Sequence, residues 1–138
     1  MHFSTALLLA LTASASAAVL PRSQLGSWEF SLYRSAYASG YQSTIATAVY
    51  TSESYPEGLR KECTHILNPF AEPIQTDKCD EGFSYSYDGQ TVSLSQVVQK
   101  PSANTTVFGN APLELKVADS VGRSWKGEAT VEVSSATA

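Results

Sequence analysis

The sequence predicts an all-β protein, a small antiparallel β-barrel or β-sandwich closed by one disulfide. Residues 27–34 and 44–51 alternate their side chains with the period of two that is typical of half-buried strands. Turn signals follow at short intervals, and no long apolar segment has the 3.6-residue period of an amphipathic helix. About seven short strands separated by turns are characteristic of sandwiches and barrels.

The first two predicted strands carry the clearest alternation. Residues 27–34 place apolar side chains on one side, at Trp28, Phe30 and Leu32. Residues 44–51 contain the β-branched side chains of Ile45, Thr47 and Val49, which favour a strand over a helix. The intervening residues 35–43 are rich in Ser, Ala, Gly and Tyr, which predicts a connecting loop.

A third strand is predicted over residues 59–67, after a break at Pro56 and Gly58. Cys63 lies in the middle of this strand. Residues 68–79 contain two prolines, so we expect an irregular excursion that the second cysteine returns to the sheet.

The two cysteines, Cys63 and Cys79, are the only ones in the chain. In an oxidising export pathway, two thiols without competitors most simply pair with each other. Closing a loop of this length contributes about 3 kcal/mol through the unfolded state. The alternative is a pair of free, buried thiols.

The dipeptide Asp88-Gly89 predicts a β-hairpin with a two-residue type I′ turn. The expected register pairs Tyr87 with Gln90, Tyr85 with Val92 and Phe83 with Leu94. The other face is polar throughout, at Ser84, Ser86, Thr91, Ser93 and Ser95. An apolar face opposite a polar one specifies which side of this hairpin is buried.

The C-terminal part of the chain predicts further strands over residues 105–108, 113–118 and 125–133. The first two are separated by turn residues, Gly109, Asn110 and Pro112. Polar segments over residues 100–104 and 119–123 predict loops. The last strand alternates apolar Ala129, Val131 and Val133 with polar neighbours.

Residues 1–17 predict a secretory signal peptide, which leaves one domain over residues 18–138. An apolar run is followed by small residues that end in Ala15-Ser16-Ala17, the pattern that signal peptidase accepts. We expect cleavage after Ala17 or Ala18. The alternatives are a buried N-terminal helix and a propeptide that ends at Arg22. The run is too short to span a membrane, and no apolar tail predicts a lipid anchor.

The charge pattern argues against nucleic acids and membranes as partners. The net charge of -4 comes from 13 acidic and 9 basic residues, and the basic residues are scattered. A polyanion-binding surface requires a basic cluster. We therefore expect a freely secreted protein that binds neither nucleic acid nor membrane.

No residue pattern predicts a catalytic, cofactor or metal site. After signal cleavage one histidine remains, His65, on the same predicted strand face as Cys63, and we interpret it as structural. One histidine among scattered carboxylates has no metal-ligand spacing. Asp80 and Glu81 are adjacent and would diverge on a strand, so they do not form a carboxylate pair for glycoside hydrolysis.

Two features point to a surface function. Five tyrosines crowd the N-terminal half, at Tyr33, Tyr37, Tyr41, Tyr50 and Tyr55. Exposed tyrosines are typical of sugar-binding and protein-binding surfaces, although core packing is the alternative for each. Asn104-Thr105-Thr106 is a sequon for N-glycosylation in a predicted loop, so Asn104 is a candidate glycosylation site.

The layout of residues from Cys63 onward resembles a known family. A cysteine in a strand, an irregular excursion and a second cysteine precede the alternation Phe83, Tyr85, Tyr87 and a return strand with Leu94 and Gln96. This arrangement is similar to the Alternaria major-allergen family of small secreted fungal β-barrel proteins. The early Trp28, Phe30, Tyr33 and Arg34 match its opening strand. The resemblance covers roughly half of the mature chain.

The resemblance implies a secreted fungal effector, elicitor or allergen without catalysis that binds a host protein, such as a plant defence protein. Members of the allergen type have a second disulfide and a spare cysteine that links a dimer. This chain has neither, so we expect no covalent dimer. Two other hypotheses stay open. The second is a carbohydrate-binding or cell-wall-associated module, and the third is an enzyme.

Overall fold

The computed structural model describes residues 25–100, 104–119 and 123–138, and in these ranges the chain is an all-β protein. Nine strands follow in order: β1 (Ser27–Ala36), β2 (Gln42–Ser52), β3 (Tyr55–Leu67), β4 (Gln75–Cys79), β5 (Phe83–Tyr87), β6 (Thr91–Val98), β7 (Thr105–Pro112), β8 (Lys116–Val117) and β9 (Ser124–Thr137). The predicted fold class is confirmed.

The strands form one antiparallel sheet that curls into a half-barrel. Its order is β4-β3-β2-β1-β9-β7-β6-β5, and β8 pairs with β9 beside this path. The edge strands β4 and β5 are consecutive in the chain, and residues 80–82 join them. Only a curled sheet brings its two edges this close. Phe30 of β1 and Tyr85 of β5 accordingly meet across the inner face, with ring centroids 5.9 Å apart.

The inner face of the curl contains the hydrophobic core. Its centre is Trp28, which is fully buried and lies 5.6 Å from the Tyr50 ring, measured between centroids. Trp28 Nε1 donates a buried hydrogen bond of 2.8 Å to Gln96 Oε1. Ala46 and Ala48 of β2 face the same interior, opposite Leu32 and Phe30 of β1, and both are fully buried.

The disulfide between Cys63 and Cys79 is present, as predicted. The two cysteines are directly paired in the β3–β4 ladder, so the bond joins an edge strand to the body of the sheet. The irregular excursion is shorter than predicted. It covers residues 68–74, because residues 75–79 pair in register with β3 as the strand β4.

Several strand boundaries were wrong because proline and glycine were interpreted as breaks. β3 begins at Tyr55 and includes Pro56 and Gly58. A register shift between Tyr50 and Ser52 absorbs this irregular start. β7 likewise runs through Gly109 to Pro112, while β8 is only two residues long. Tertiary pairing overrides these local signals where the residue sits at a bulge or strand end.

The predicted hairpin register was also wrong, by two residues. Tyr87 pairs with Val92, Tyr85 with Leu94 and Phe83 with Gln96. Asp88 Oδ1 accepts the backbone N–H groups of Thr91 and Gln90, at 2.7 and 2.8 Å, and so closes a longer turn than the type I′ turn. A shift of two preserves the faces. The serine face therefore still points away from the core, with Ser84 Oγ 2.7 Å from Ser95 Oγ.

Asp88 is expected to titrate below the ordinary aspartate range. Hydrogen bonds from the backbone of Thr91 and then Gln90 lower the pKa of its carboxyl group. A lowered folded-state pKa stabilises the fold above the unfolded pKa of about 3.9, and this contribution is lost as pH falls through the folded pKa. A carboxyl-carbon NMR titration checks this. A midpoint at or above the ordinary aspartate value would contradict the described turn.

Four connections meet at one end of the half-barrel, which we call the loop end. They are residues 37–41, 68–74 and 88–90, together with the described residues between β7 and β9, which include the short strand β8. The predicted signal peptide and its alternatives lie outside the described residues. So does most of the predicted loop at 100–104, of which residues 101–103 are not described.

Candidate functional site

A polar row crosses four strands just inside the loop end. Arg34 pairs with Thr44, Thr44 with His65, and His65 with Asp77. Each residue lies two positions beyond a member of the core row that contains Leu32, Ala46 and the disulfide. Side chains two apart on a strand share a face, so this polar row faces the interior at its open end.

Tyr85 and Tyr87 of β5 form the opposite wall. A cavity of about 320 Å³ lies between them and the polar row. A second, larger groove of about 660 Å³ adjoins it and is lined by Tyr87, Gln90 and the segment 112–115. Arg34 and Tyr87 line both spaces, so the two spaces adjoin at these residues, and we call them together the cleft.

His65 and Asp77 form a pair within the cleft. The ring nitrogen Nδ1 of His65 contacts Asp77 Oδ1, and Gln75 Nε2 donates to Asp77 Oδ2 at 2.8 Å. These hydrogen bonds, chiefly the one from His65, lower the pKa of Asp77. His65 thus faces the same side as Cys63, as predicted, and ties β4 to β3.

His65 has no hydroxyl or thiol hydrogen-bonded to it within the described residues. In the same part of the chain, no group of three His, Cys, Asp or Glu side chains could hold a metal ion. No helix described in the structure has the length and hydropathy to cross a membrane.

Exposed and half-exposed apolar side chains lie on two connections of the loop end, β1–β2 and β3–β4. The loop-end patch, as we define it, consists of Tyr37, Tyr41, Phe70 and Ile74. Phe70 is 77% exposed and Ile74 51%. The two contributing loops are adjacent, because a side-chain carbon built on Gly40 would lie 3.3 Å from Pro69. Tyr37 and Tyr41 stand together, with ring centroids 6.0 Å apart.

The loop that presents Phe70 is held by its own backbone. Asn68 N–H donates to Ile74 O at 2.7 Å, which closes the loop at its base. Asn68 Oδ1 accepts the N–H of Phe70 at 3.1 Å. Below this base, β4 is fixed by the disulfide. Phe70 is therefore an exposed aromatic ring on a constrained loop.

The five candidate tyrosines divide into two groups. Tyr50 is buried in the core, and Tyr55 accepts the N–H of Gln99 at 3.0 Å, so both have packing roles. Tyr33, Tyr37 and Tyr41 are exposed or half-exposed. Sequence reasoning missed Arg34, Phe70 and Ile74 as site residues. For Arg34 the available signal was its position two residues beyond Leu32, on the buried side of β1.

Asn104, the candidate glycosylation site, is exposed and has a positive φ of 55°. Its Oδ1 accepts Gln99 Nε2 at 3.3 Å. Its glycosylation remains a prediction.

Comparison with protein families, curated proteins and solved structures finds no match for this chain.

Proposed function

We propose that this protein is a secreted, non-catalytic binding protein of the extracellular space, effector-like, elicitor-like or allergen-like, that binds a host plant protein through the loop-end patch. The fungal and plant setting comes from the family resemblance. The disulfide supports an oxidising compartment, because such bonds persist mainly in exported proteins.

The observation that carries this proposal is the exposure of Phe70. Phe70 is 77% exposed to water, and a partner that covers its ring lowers the free energy of the complex. Aromatic side chains are enriched in the buried centre of protein interfaces. Because Asn68 already constrains the loop, binding orders little additional backbone. Ile74 and Tyr37 extend the apolar surface around this anchor.

A pull-down from plant apoplastic fluid tests the proposal. The oxidised wild-type protein is expected to retain a partner that Phe70→Ser retains at least tenfold less, since the variant loses the apolar anchor. Phe108→Ser is the matched control, because Phe108 is also an exposed phenylalanine but lies on β7. It should retain the partner as the wild type does.

Two results would count against protein binding at the patch. One is the recovery of no partner by the wild type. The other is equal recovery by Phe70→Ser. Unchanged near-UV circular dichroism of both variants shows that the fold is intact, as expected for substitutions at exposed positions.

The second candidate is a carbohydrate-binding or wall-associated module, favoured by the adjacent rings of Tyr37 and Tyr41. Two neighbouring aromatic rings at a surface are suited to contact sugar faces. A glycan array distinguishes this function. A saturable signal lost in Tyr37→Ala but kept in Phe70→Ser would support it, while a blank array and blank polysaccharide pull-down would remove it.

A further inference from the structure

The cleft beside the loop-end patch contains an arginine, Arg34, whose charge is not ion-paired within the described residues. Arg34 has neither an ion pair nor a hydrogen bond from its side chain to any described residue. Two carboxylates line the cleft: Asp77 is engaged by His65 and Gln75, and Glu114 lies 3.9 Å from Lys116 Nζ. The chain has an excess of acidic residues, 13 against 9 basic ones, so acids are not scarce.

Arginine at this position is suited to one kind of ligand group. Its planar guanidinium presents paired N–H donors that match the two oxygens of a carboxylate. Tyr85 stands opposite, and its hydroxyl has no hydrogen-bond partner among the residues that the structure describes. Burial raises the pKa of Tyr85, which keeps the hydroxyl protonated and able to donate.

The adjoining groove is suited to an apolar ligand body. Its apolar lining residues are Tyr87, Pro112, Leu113 and Leu115, and its polar ones include Gln90 and Glu114. Its volume of about 660 Å³ lies within the usual range for small-molecule sites. Tyr87 is fixed in place, since its hydroxyl donates to Leu113 O at 2.8 Å and contacts Gly89 O at 3.0 Å.

We propose that this cleft binds a small aromatic carboxylic acid, with the carboxylate on the Arg34 guanidinium and the Tyr85 hydroxyl and the ring in the groove between Tyr87 and Leu115. Tyr87, Pro112, Leu113 and Leu115 favour an aromatic body over a sugar acid, because hydroxyl groups that face leucine and proline would lose their hydrogen bonds to water. This site goes beyond the proposed protein-binding function and does not depend on it.

The test uses sodium cinnamate as the probe, with calorimetry for affinity and amide chemical shifts for location. Saturable binding is expected, with the largest shifts at Tyr85, Tyr87 and Leu115. Arg34→Gln should weaken binding at least tenfold, because it removes the charge-assisted hydrogen bonds. Arg60→Gln is the matched control: Arg60 is an exposed arginine outside the cleft, and its variant should bind within twofold of the wild type.

Two further ligands keep the test decisive if Arg34→Gln folds poorly. Cinnamamide has the same shape without the charge and should bind wild-type protein at least tenfold more weakly than cinnamate. Sodium galacturonate supplies the carboxylate on a sugar and should also bind more weakly. Absent saturation, equal affinity for cinnamamide, tighter binding of galacturonate, or full affinity in a folded Arg34→Gln variant would each overturn the proposal.

The cinnamate site and the patch are separable by one variant. Phe70→Ser should bind cinnamate as the wild type does, because Phe70 does not line the cleft. Loss of partner capture with intact cinnamate binding therefore concerns the patch alone. Intact capture of the protein partner without cinnamate binding would overturn only the proposed carboxylate site in the cleft.

Discussion

Replacing Trp28 with alanine is expected to lower the free energy of unfolding by about 3–5 kcal/mol, the largest effect of any substitution considered. The indole is fully buried and packs against the Tyr50 ring. It also contacts β7 closely, because a side-chain carbon built on Gly109 would lie 3.0 Å from the indole ring. The surrounding β-sheet cannot collapse into the space that alanine leaves.

The polar part of this effect can be measured separately through Gln96. Trp28→Phe leaves Gln96 Oε1 without its donor in a fully buried position, and we expect a cost of about 1–3 kcal/mol beyond the lost packing. Gln96→Leu should lower the free energy of unfolding by less than Trp28→Phe does. It also removes the buried Gln96 Nε2, which has no hydrogen-bond partner among the described residues. The double variant should then cost less than the sum of the two single variants.

Urea unfolding of the wild type, Trp28→Phe, Gln96→Leu and the double variant gives the coupling energy between the two side chains. A coupling of about 1 kcal/mol or more supports the described hydrogen bond between the indole and the amide. Additive costs, or a Trp28→Ala variant as stable as the wild type, would contradict the described core. The slope of the unfolding transition checks that all four proteins unfold from similarly compact states.

Reduction of the disulfide is expected to lower the free energy of unfolding by about 3 kcal/mol, the second large effect. The two cysteines are separated by 16 positions in the sequence, and a loop of this length gains this much from closure in the chain-entropy description. β4 depends on the bond more than any other strand does. It is a five-residue edge strand that pairs only with β3, and four of its residues are exposed.

The consequence reaches the candidate site, because β4 carries Asp77 and follows the loop of Phe70. After reduction, the amides of β4 should exchange with solvent faster than those of β1. The control is Cys63→Ala/Cys79→Ala, whose stability should match that of the reduced wild type and should not respond to reductant. A change below about 1 kcal/mol on reduction would contradict this role of the bond.

Period-two alternation predicted the fold class and much of the core because it depends only on which side of a strand faces the interior. Trp28, Phe30 and Leu32 are all buried, as their alternation indicated. The hairpin shows the limit of that signal. Asp88-Gly89 favours a two-residue turn locally, but the Asp88 side chain caps a longer turn, and alternation cannot detect an even shift of register.

The candidate site was less predictable because its residues come together only through strand pairing. Nothing local to Arg34 indicates that His65 and Asp77 will lie in its row, two and three strands away. Phe70 lies between two prolines in a segment interpreted as irregular, and its exposure follows from how β4 returns to the sheet. Apolar residues in loops are usually assigned to the core or to no role.

The central claim is that the loop-end patch binds a protein partner, and the most direct measurement is the affinity of the captured partner for purified variants. Surface plasmon resonance on immobilised wild type, Phe70→Ser and Phe108→Ser provides it. Phe70→Ser is expected to raise the Kd at least tenfold, while the Kd of Phe108→Ser should stay within twofold of the wild-type value. Equal Kd values for the wild type and Phe70→Ser, or a loss confined to Phe108→Ser, would contradict it.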